Sequence, residues 1–273
     1  MKSRTFISIG FGTMGSAIVN QIVKAKQLHA QDILVIERSA ERRRGIRRHY
    51  TAQAELDLQS MKRAKIILLA VKPQDAKSVL LELQGNLNKN TLVISIMAGV
   101  SRAYLTAQLK HKKVIRVMPN LAATKGRSIS AWTATANCSA KERVRMEKLL
   151  RSFGTTLRVK NDKEIDRITA VIGSGPGYFY AFANDLVQAS QALGYDKKTA
   201  IWLVRETLLG AAALYQDASD EPLALVQKVA SKKGTTEEAL KIMQRAKSTA
   251  AWTKALQAAF KRAQEIAESL EKN

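Results

Sequence analysis

Short apolar runs separated by amphipathic stretches fill the first 160 residues. Residues 5–9, 33–36, 66–71, 92–96 and 114–118 are mostly apolar segments, interrupted by Ser8, Ser95 and Arg116. Runs of that length and continuity are expected of strands buried on both faces of a parallel sheet. Helical spacing follows most of them, from Ser16 onward, over 76–83 and over 104–109. Two more strands are expected over 128–134 and 156–160. The helix between them opens at Ser139, and Glu142 three positions on completes a capping box. Alternation of this kind predicts a doubly wound, mostly parallel sheet.

After Asn161 the strand patterns stop. Helices are expected over 164–171, 178–193, 197–215, 222–230, 237–245 and 249–270. Gly173-Ser174-Gly175-Pro176-Gly177 should break the first from the second, Gly194 should follow a helix end and Asp196 should cap the next start. The expected organisation is α/β over residues 1–160, a Rossmann-type dinucleotide-binding domain. An all-α domain for substrate and dimerisation then occupies residues 161–273. Its helices carry more alanine and leucine than a thin layer on one sheet could bury, so a homo-oligomer built on two-fold dimers is expected.

One stretch gives the first half its chemistry. The strand ending at Ile9 runs into Gly10-Phe11-Gly12-Thr13-Met14-Gly15, and helical spacing follows. Gly10 allows the tight turn, Gly12 leaves the backbone open to a pyrophosphate, and Gly15 lets helix and strand pack closely. The first N–H groups of the helix then face the phosphates. Glu37 closes the second apolar run at the distance expected of a ribose-binding acid. It favours a free 2′-hydroxyl and hence NAD. Arg38, Ser39 and the arginines beyond them suit a 2′-phosphate, and on that ground NADP is the expected cofactor, with NAD possible.

Charge sharpens this picture. The net charge is +22, yet residues 1–160 hold 30 of the 45 Lys and Arg and only 9 of the 23 Asp and Glu. Arg42, Arg43, Arg44, Arg47 and Arg48 cluster just after the second strand. A basic surface by itself names no partner. A solvated helix face, or a field drawing in a phosphorylated cofactor, fits better than nucleic acid, which is not expected as a partner. The single cysteine, Cys138, rules out an internal disulfide and a cysteine-rich metal site, and no metal is expected. No run approaches a membrane span and no signal-peptide pattern opens the chain, so a cytoplasmic protein away from membranes is the expectation.

Reaction class can be narrowed by what is missing. Carbonyl reduction usually needs a proton donor such as His, Lys or Tyr. His29, His49 and His111 all lie in the nucleotide half, and no Lys or His occurs between Arg167 and Lys197. β-Hydroxyacid dehydrogenases, similar in arrangement, carry a catalytic lysine in that region, so that activity is disfavoured. A cyclic imine suits the sequence, because its nitrogen arrives protonated and its carbon already electrophilic.

The ordered series Gly10 to Gly15, Ala70-Val71-Lys72-Pro73, Ser95-Ile96-Met97-Ala98-Gly99-Val100, Arg116-Val117-Met118-Pro119-Asn120, Gly173-Ser174-Gly175-Pro176 and Gly234-Thr235-Thr236 resembles the pyrroline-5-carboxylate reductases over nearly the whole chain. The resemblance implies reduction of 1-pyrroline-5-carboxylate to proline with NADPH or NADH, the last step of proline biosynthesis, in a helix-swapped dimer. It places Phe11, Gly12, Thr13 and Met14 on the pyrophosphate, and Glu37, Arg38 and Ser39 on the adenine ribose. Ala70, Val71, Lys72, Pro73, Met97, Ala98 and Gly99 fall on the nicotinamide side. Pro119 and Asn120 fall near nicotinamide and substrate, Ser174 at the domain junction, and Gly234, Thr235 and Thr236 on the substrate carboxylate and ring. Thr236, Asn120 and Ser174 are the expected catalytic positions.

The residues agree at the last trio. Thr235 and Glu238 fit a capping box, and free N–H groups at a helix start can hold a carboxylate. Two stretches differ from the family pattern. Ser231-Lys232-Lys233-Gly234 stands where Ser-Pro-Gly-Gly is usual, and Leu121-Ala122 follows Asn120 where Thr-Pro often does. Another NAD(P)-dependent oxidoreductase acting on a different small imino or hydroxy acid is the alternative. A non-catalytic protein binding nucleotide or nucleic acid is a third reading.

Overall fold

The computed structural model describes residues 5–55 and 58–272. Its first strands are the apolar runs: β1 (Phe6–Ile9), β2 (Ile33–Ile36), β3 (Thr51–Gln53), β4 (Ile66–Leu69), β5 (Leu92–Ser95) and β6 (Val114–Met118). With β7 (Ser128–Ala134) and β8 (Gly154–Arg158) they form an eight-stranded sheet in the order β3-β2-β1-β4-β5-β6-β7-β8. β7 runs antiparallel to β6 and every other pair is parallel. The sheet is therefore doubly wound and mostly parallel, and the order reverses between β1 and β4. Ligands of such sheets bind in the crevice outside the carboxyl ends of the strands at that reversal.

Period-two alternation divides the buried residues between two layers. Phe6, Val35, Leu68 and Ile94 pack on one face, with α1 (Thr13–Lys24) and α6 (Ala140–Arg151). Ile7, Leu34, Leu69 and Val93 pack on the other, with α4 (Ala76–Leu83) and α5 (Arg102–Leu109). The Ser139–Glu142 capping box is present at the start of α6. Two short elements, α2 (Ala40–Ile46) and α3 (Leu58–Arg63), flank β3.

The helical remainder comprises α7 (Asp162–Ile168), α8 (Gly175–Ala192), α9 (Lys197–Asp217), α10 (Pro222–Val229), α11 (Thr235–Arg245) and α12 (Ser248–Lys272). Asp196 caps α9 through both the Lys198 and Thr199 N–H groups. Two compact units result: Met1–Gly175 with Ala258–Asn273, and Pro176–Gln257. This division differs from the 160/161 boundary that the charge shift and the loss of strand patterns suggest. α7 is helical, but it is tied to the sheet by ion pairs from Arg116 on β6 to Asp162 and Asp166.

Three local readings are corrected. β8 starts at Gly154, two residues before the expected strand. That glycine has φ +147, and a Cβ there would lie 1.8 Å from the Ser128 carbonyl oxygen, so a residue that looks like a turn opens a strand against β7. The glycine-rich stretch interrupts the helix only briefly, at a bend on Ser174, and Gly175-Pro176-Gly177 already belongs to α8. A π-helical turn, Thr169–Gly173, carries the chain into α8, with Pro176 in the first turn, where its missing N–H has no partner to lose. β3 has no counterpart among the expected strands, because three residues with one buried side chain, Ala52, carry too little pattern.

Candidate active site

The loop from β1 to α1 is built by its glycines. Gly10 has φ +90, and a Cβ there would approach the Ala70 carbonyl oxygen to 2.7 Å. A Cβ on Gly15 would meet the Gly10 carbonyl oxygen at 2.6 Å, so helix and loop can close only on glycine. Gly12 differs: it caps α1 in extended conformation, and a Cβ there would meet nothing within 4 Å. No side chain caps α1, so its first N–H groups stay open to an anion. Phe11 is held edge-on to Tyr50 at 5.6 Å, and the Tyr50 hydroxyl donates to Asn20 Oδ1 at 2.7 Å.

Gly10, Phe11 and Gly12 line a cleft of about 890 Å³ together with Glu37, Arg38, Arg42, Ala70, Val71 and Lys72. Glu37 is nearly buried at the end of β2, and its Oε1 accepts the Ser39 N–H at 3.0 Å. Its Oε2 lies 3.8 Å from Arg42 Nη1. Arg38 is exposed. Ser39 caps α2, its hydroxyl accepting the Arg42 N–H at 3.3 Å. Arg43 is committed to the backbone, donating to the carbonyls of Glu37 at 2.7 Å and Arg38 at 2.5 Å. Arg42 is thus the cluster member that joins Arg38 in the cleft. Its place three residues after the cap, on the first turn of α2, was the available signal.

Thr13 and Met14 begin α1, and Pro73 opens a 3₁₀ turn directly after Lys72. Met97 is buried below the carboxyl end of β5, its N–H 3.3 Å from Ser95 Oγ. Gly99 has φ +72, and a Cβ there would fall 2.5 Å from Ile266 Cγ2 near the end of α12. Ala98 joins Met118, Ile165 and Ile172 in a small apolar cluster. Asn120 is pinned from two sides: its N–H donates to Ser128 Oγ at 3.0 Å, and its Oδ1 accepts the Ala122 N–H at 3.2 Å. Ser174 ends the π turn, with its N–H on the Thr169 carbonyl at 3.1 Å. The first unit therefore gathers the 97–99 loop, Met118 and the π turn ahead of Ser174 around one cluster.

Gly234, Thr235 and Thr236 lie in the second unit. Gly234, not Thr235, caps α11, and no side chain caps that start, so the expected Thr235–Glu238 capping box is absent. Glu237 reaches back instead, accepting the Lys233 N–H on Oε2 at 2.5 Å. A Cβ on Gly234 would lie 2.4 Å from Ser231 Oγ. Lys233 stands where the resemblance has glycine, and it takes the left-handed φ of +59. Thr236 is half-buried.

The remaining titratable candidates are structural. Burial pulls the His111 imidazole below its ordinary value, and the ring donates to the Thr91 carbonyl at 2.7 Å. Burial pushes the Cys138 thiol up, which makes it a poor nucleophile. Among the described residues no cluster of His, Cys, Asp or Glu could hold a metal ion, and no helix is long and apolar enough to cross a membrane.

A glycine-turned cleft at the reversal of a doubly wound sheet is a dinucleotide-binding arrangement, of the kind that nicotinamide-dependent oxidoreductases use. Residues 5–99 match the family described as NADP oxidoreductase coenzyme F420-dependent. Residues 162–266 match the pyrroline-5-carboxylate reductase dimerisation domain. Pseudomonas aeruginosa pyrroline-5-carboxylate reductase is 34% identical over 272 residues, 99% of either chain. The chain belongs to the pyrroline-5-carboxylate reductase family. The solved Coxiella burnetii pyrroline-5-carboxylate reductase superposes with a TM-score of 0.87 at 29% identity, over 97% of this chain and 99% of that one. Plasmodium falciparum pyrroline carboxylate reductase, solved with NADP bound, gives 0.86 over 96% and 98% at 23% identity, a likeness of fold.

Proposed function

We propose that this protein reduces 1-pyrroline-5-carboxylate to proline with NADPH, as a homodimer or a multiple of dimers. The observation that carries this reading is the 34% identity to a pyrroline-5-carboxylate reductase along the whole chain. The glycine loop and cleft fit the cofactor: Gly12 leaves room for the pyrophosphate, the start of α1 offers N–H groups, and Arg38 and Arg42 suit a 2′-phosphate. Ala70, Val71, Lys72 and Pro73 would hold the nicotinamide side with Met97, Ala98 and Gly99. Bound NADPH supplies the hydride.

The chain's own task is orientation. The N–H groups that open α11 after Gly234 hold the substrate carboxylate. The Thr236 hydroxyl accepts a hydrogen bond from the protonated ring nitrogen. Positive charge disappears from the imine as its carbon is reduced, so no strong general acid is required. The absence of Lys and His between Arg167 and Lys197 supports that economy. Thr236→Ala should lower kcat roughly ten- to a thousandfold, the range for one oriented polar contact. Steady-state oxidation of NADPH by pyrroline-5-carboxylate measures it, and an unchanged rate would place the substrate site elsewhere.

A further inference from the structure

Away from the cleft, the first unit holds a charged assembly that is buried at Arg116 and Asp166 and partly exposed at Arg102 and Asp162. Arg116 on β6 has no exposed surface. Its Nη1 donates to Asp162 Oδ1 at 3.2 Å and its Nη2 to Asp166 Oδ1 at 2.5 Å. Asp162 also accepts from Arg102: the backbone N–H reaches Oδ1 at 3.1 Å and Nε reaches Oδ2 at 2.9 Å. Arg102 Nη1 donates onward to the Ala134 carbonyl of β7. Two arginines thus face two aspartates, and the assembly is neutral.

Stability alone does not explain it. Two charges removed from water cost several kcal/mol each, and apolar replacements of a buried pair are often neutral or stabilising. Arg116 Nε has no partner, a further expense. Burial lifts the Asp166 carboxyl above its ordinary value even against the pull of Arg116, as expected of a poorly solvated site.

What the assembly joins is more informative. Arg116 stands two residues before Met118, the end of β6, and four before Asn120. Arg102 stands three after Gly99. Asp162 and Asp166 lie on α7, which leads through the π turn to Ser174. The apolar cluster of Ala98, Met118, Ile165 and Ile172 sits among the same three segments. A Cβ on Gly173 would lie 3.4 Å from Met118 Sδ, so the π turn rests against the end of β6. A guanidinium fork fixes two carboxylates in direction as well as distance, which an ammonium cannot do. π-Helical turns in other proteins concentrate at functional sites.

We propose that Arg116 is a positioning residue for imine reduction: through Asp162, Asp166 and Arg102 it holds the Met97–Gly99 loop, Asn120 and Ser174 in one arrangement. The inference rests on the proposed function. A misplacement of about 1 Å at such a site costs on the order of a hundredfold in rate.

The test uses the full-length protein and two variants. Arg116→Met/Asp166→Leu replaces the buried pair with apolar volume and leaves Asp162 to Arg102. Arg116→Lys keeps the charge and removes the fork. The measurements are kcat and KM for pyrroline-5-carboxylate, the NADPH dissociation constant by fluorescence, and the melting temperature. The double variant should melt within a few degrees of the parent and bind NADPH within about threefold, yet lose roughly tenfold or more in kcat. Arg116→Lys should lose kcat with little change in KM. A double variant with parental melting and parental kcat would reduce the assembly to filling. If the double variant does not fold, Arg116→Lys decides, and an unchanged kcat overturns the role. A parent that binds NADPH but reduces no imine defeats the proposed function, and this inference with it. An active parent with equally active variants defeats only the positioning role.

Discussion

In the sheet-containing unit, Ile7, Leu34, Ile67 and Val93 have no exposed surface, and helices cover both faces. In the helical unit, Ala200 and Val204 are the buried hydrophobic residues among those described, while Trp202, Leu209, Leu214 and Phe179 are each more than half exposed. Apolar residues are plentiful in both units, but only the sheet closes a core around them. Exposed apolar surface on this scale marks an interaction face. The match of residues 162–266 to a dimerisation domain supports a second copy of this chain as its cover. One unit closes a core and carries a cleft, while the other leaves large apolar side chains exposed.

The largest effect that could break this contrast lies on α9. Trp202 and Leu209 are seven residues apart and share a helix face. Trp202→Glu/Leu209→Glu should convert the assembly to monomers and cost roughly tenfold or more in activity, because an unpaired charge in an apolar interface costs several kcal/mol. Light scattering at micromolar concentration reads the mass. A retained dimer would show that this face is not the interface.

Gly12→Val probes the sheet-containing unit. A Cβ at Gly12 meets no atom within 4 Å, so the fold should persist with little change in melting temperature. The branched side chain would occupy the approach to the pyrophosphate, and NADPH affinity should fall by at least about tenfold, a loss of about 1.4 kcal/mol. Equilibrium titration measures it. Parental affinity would mean that the phosphates sit elsewhere.

The smallest effect belongs to the helical unit. Lys233 pays the cost of a left-handed backbone at φ +59, about 1–2 kcal/mol for an L-residue, part of which glycine's greater freedom in the unfolded chain offsets. Lys233→Gly should stabilise by about 0.5–1 kcal/mol, seen as a raised urea midpoint with an unchanged slope. A lowered midpoint would show that the lysine side chain has stabilising contacts outweighing its strain.

Much of the cleft was legible in the sequence. The spacing of Gly10, Gly12 and Gly15 encodes a loop whose constraints act mostly over five residues, and aliphatic runs such as 66–71 mark strands because burial on both faces favours apolar side chains. The caps at Ser139 and Asp196 were legible for the same local reason. The expected capping box at Thr235 was not present, because Gly234 takes the cap position and Glu237, one residue earlier than Glu238, reaches back to Lys233. Arg42 and Arg43 look alike in a row of arginines. Their division into one that lines the cleft and one spent on the Glu37 and Arg38 carbonyls depends on which side of a short helix each occupies.

The sequence by itself determined the order of the strands other than β3 and of the longer helices, the glycine turn and the family, because hydrophobic period, backbone conformation and capping act within a few residues. Only the tertiary structure decided that Arg116 meets Asp166 across fifty positions, that Gly99 must be bare to admit Ile266, and that α7 sides with the sheet. Those contacts join segments whose separation in the chain carries no local signal, and each exists because folding brings a specific pair of surfaces within van der Waals or hydrogen-bonding reach.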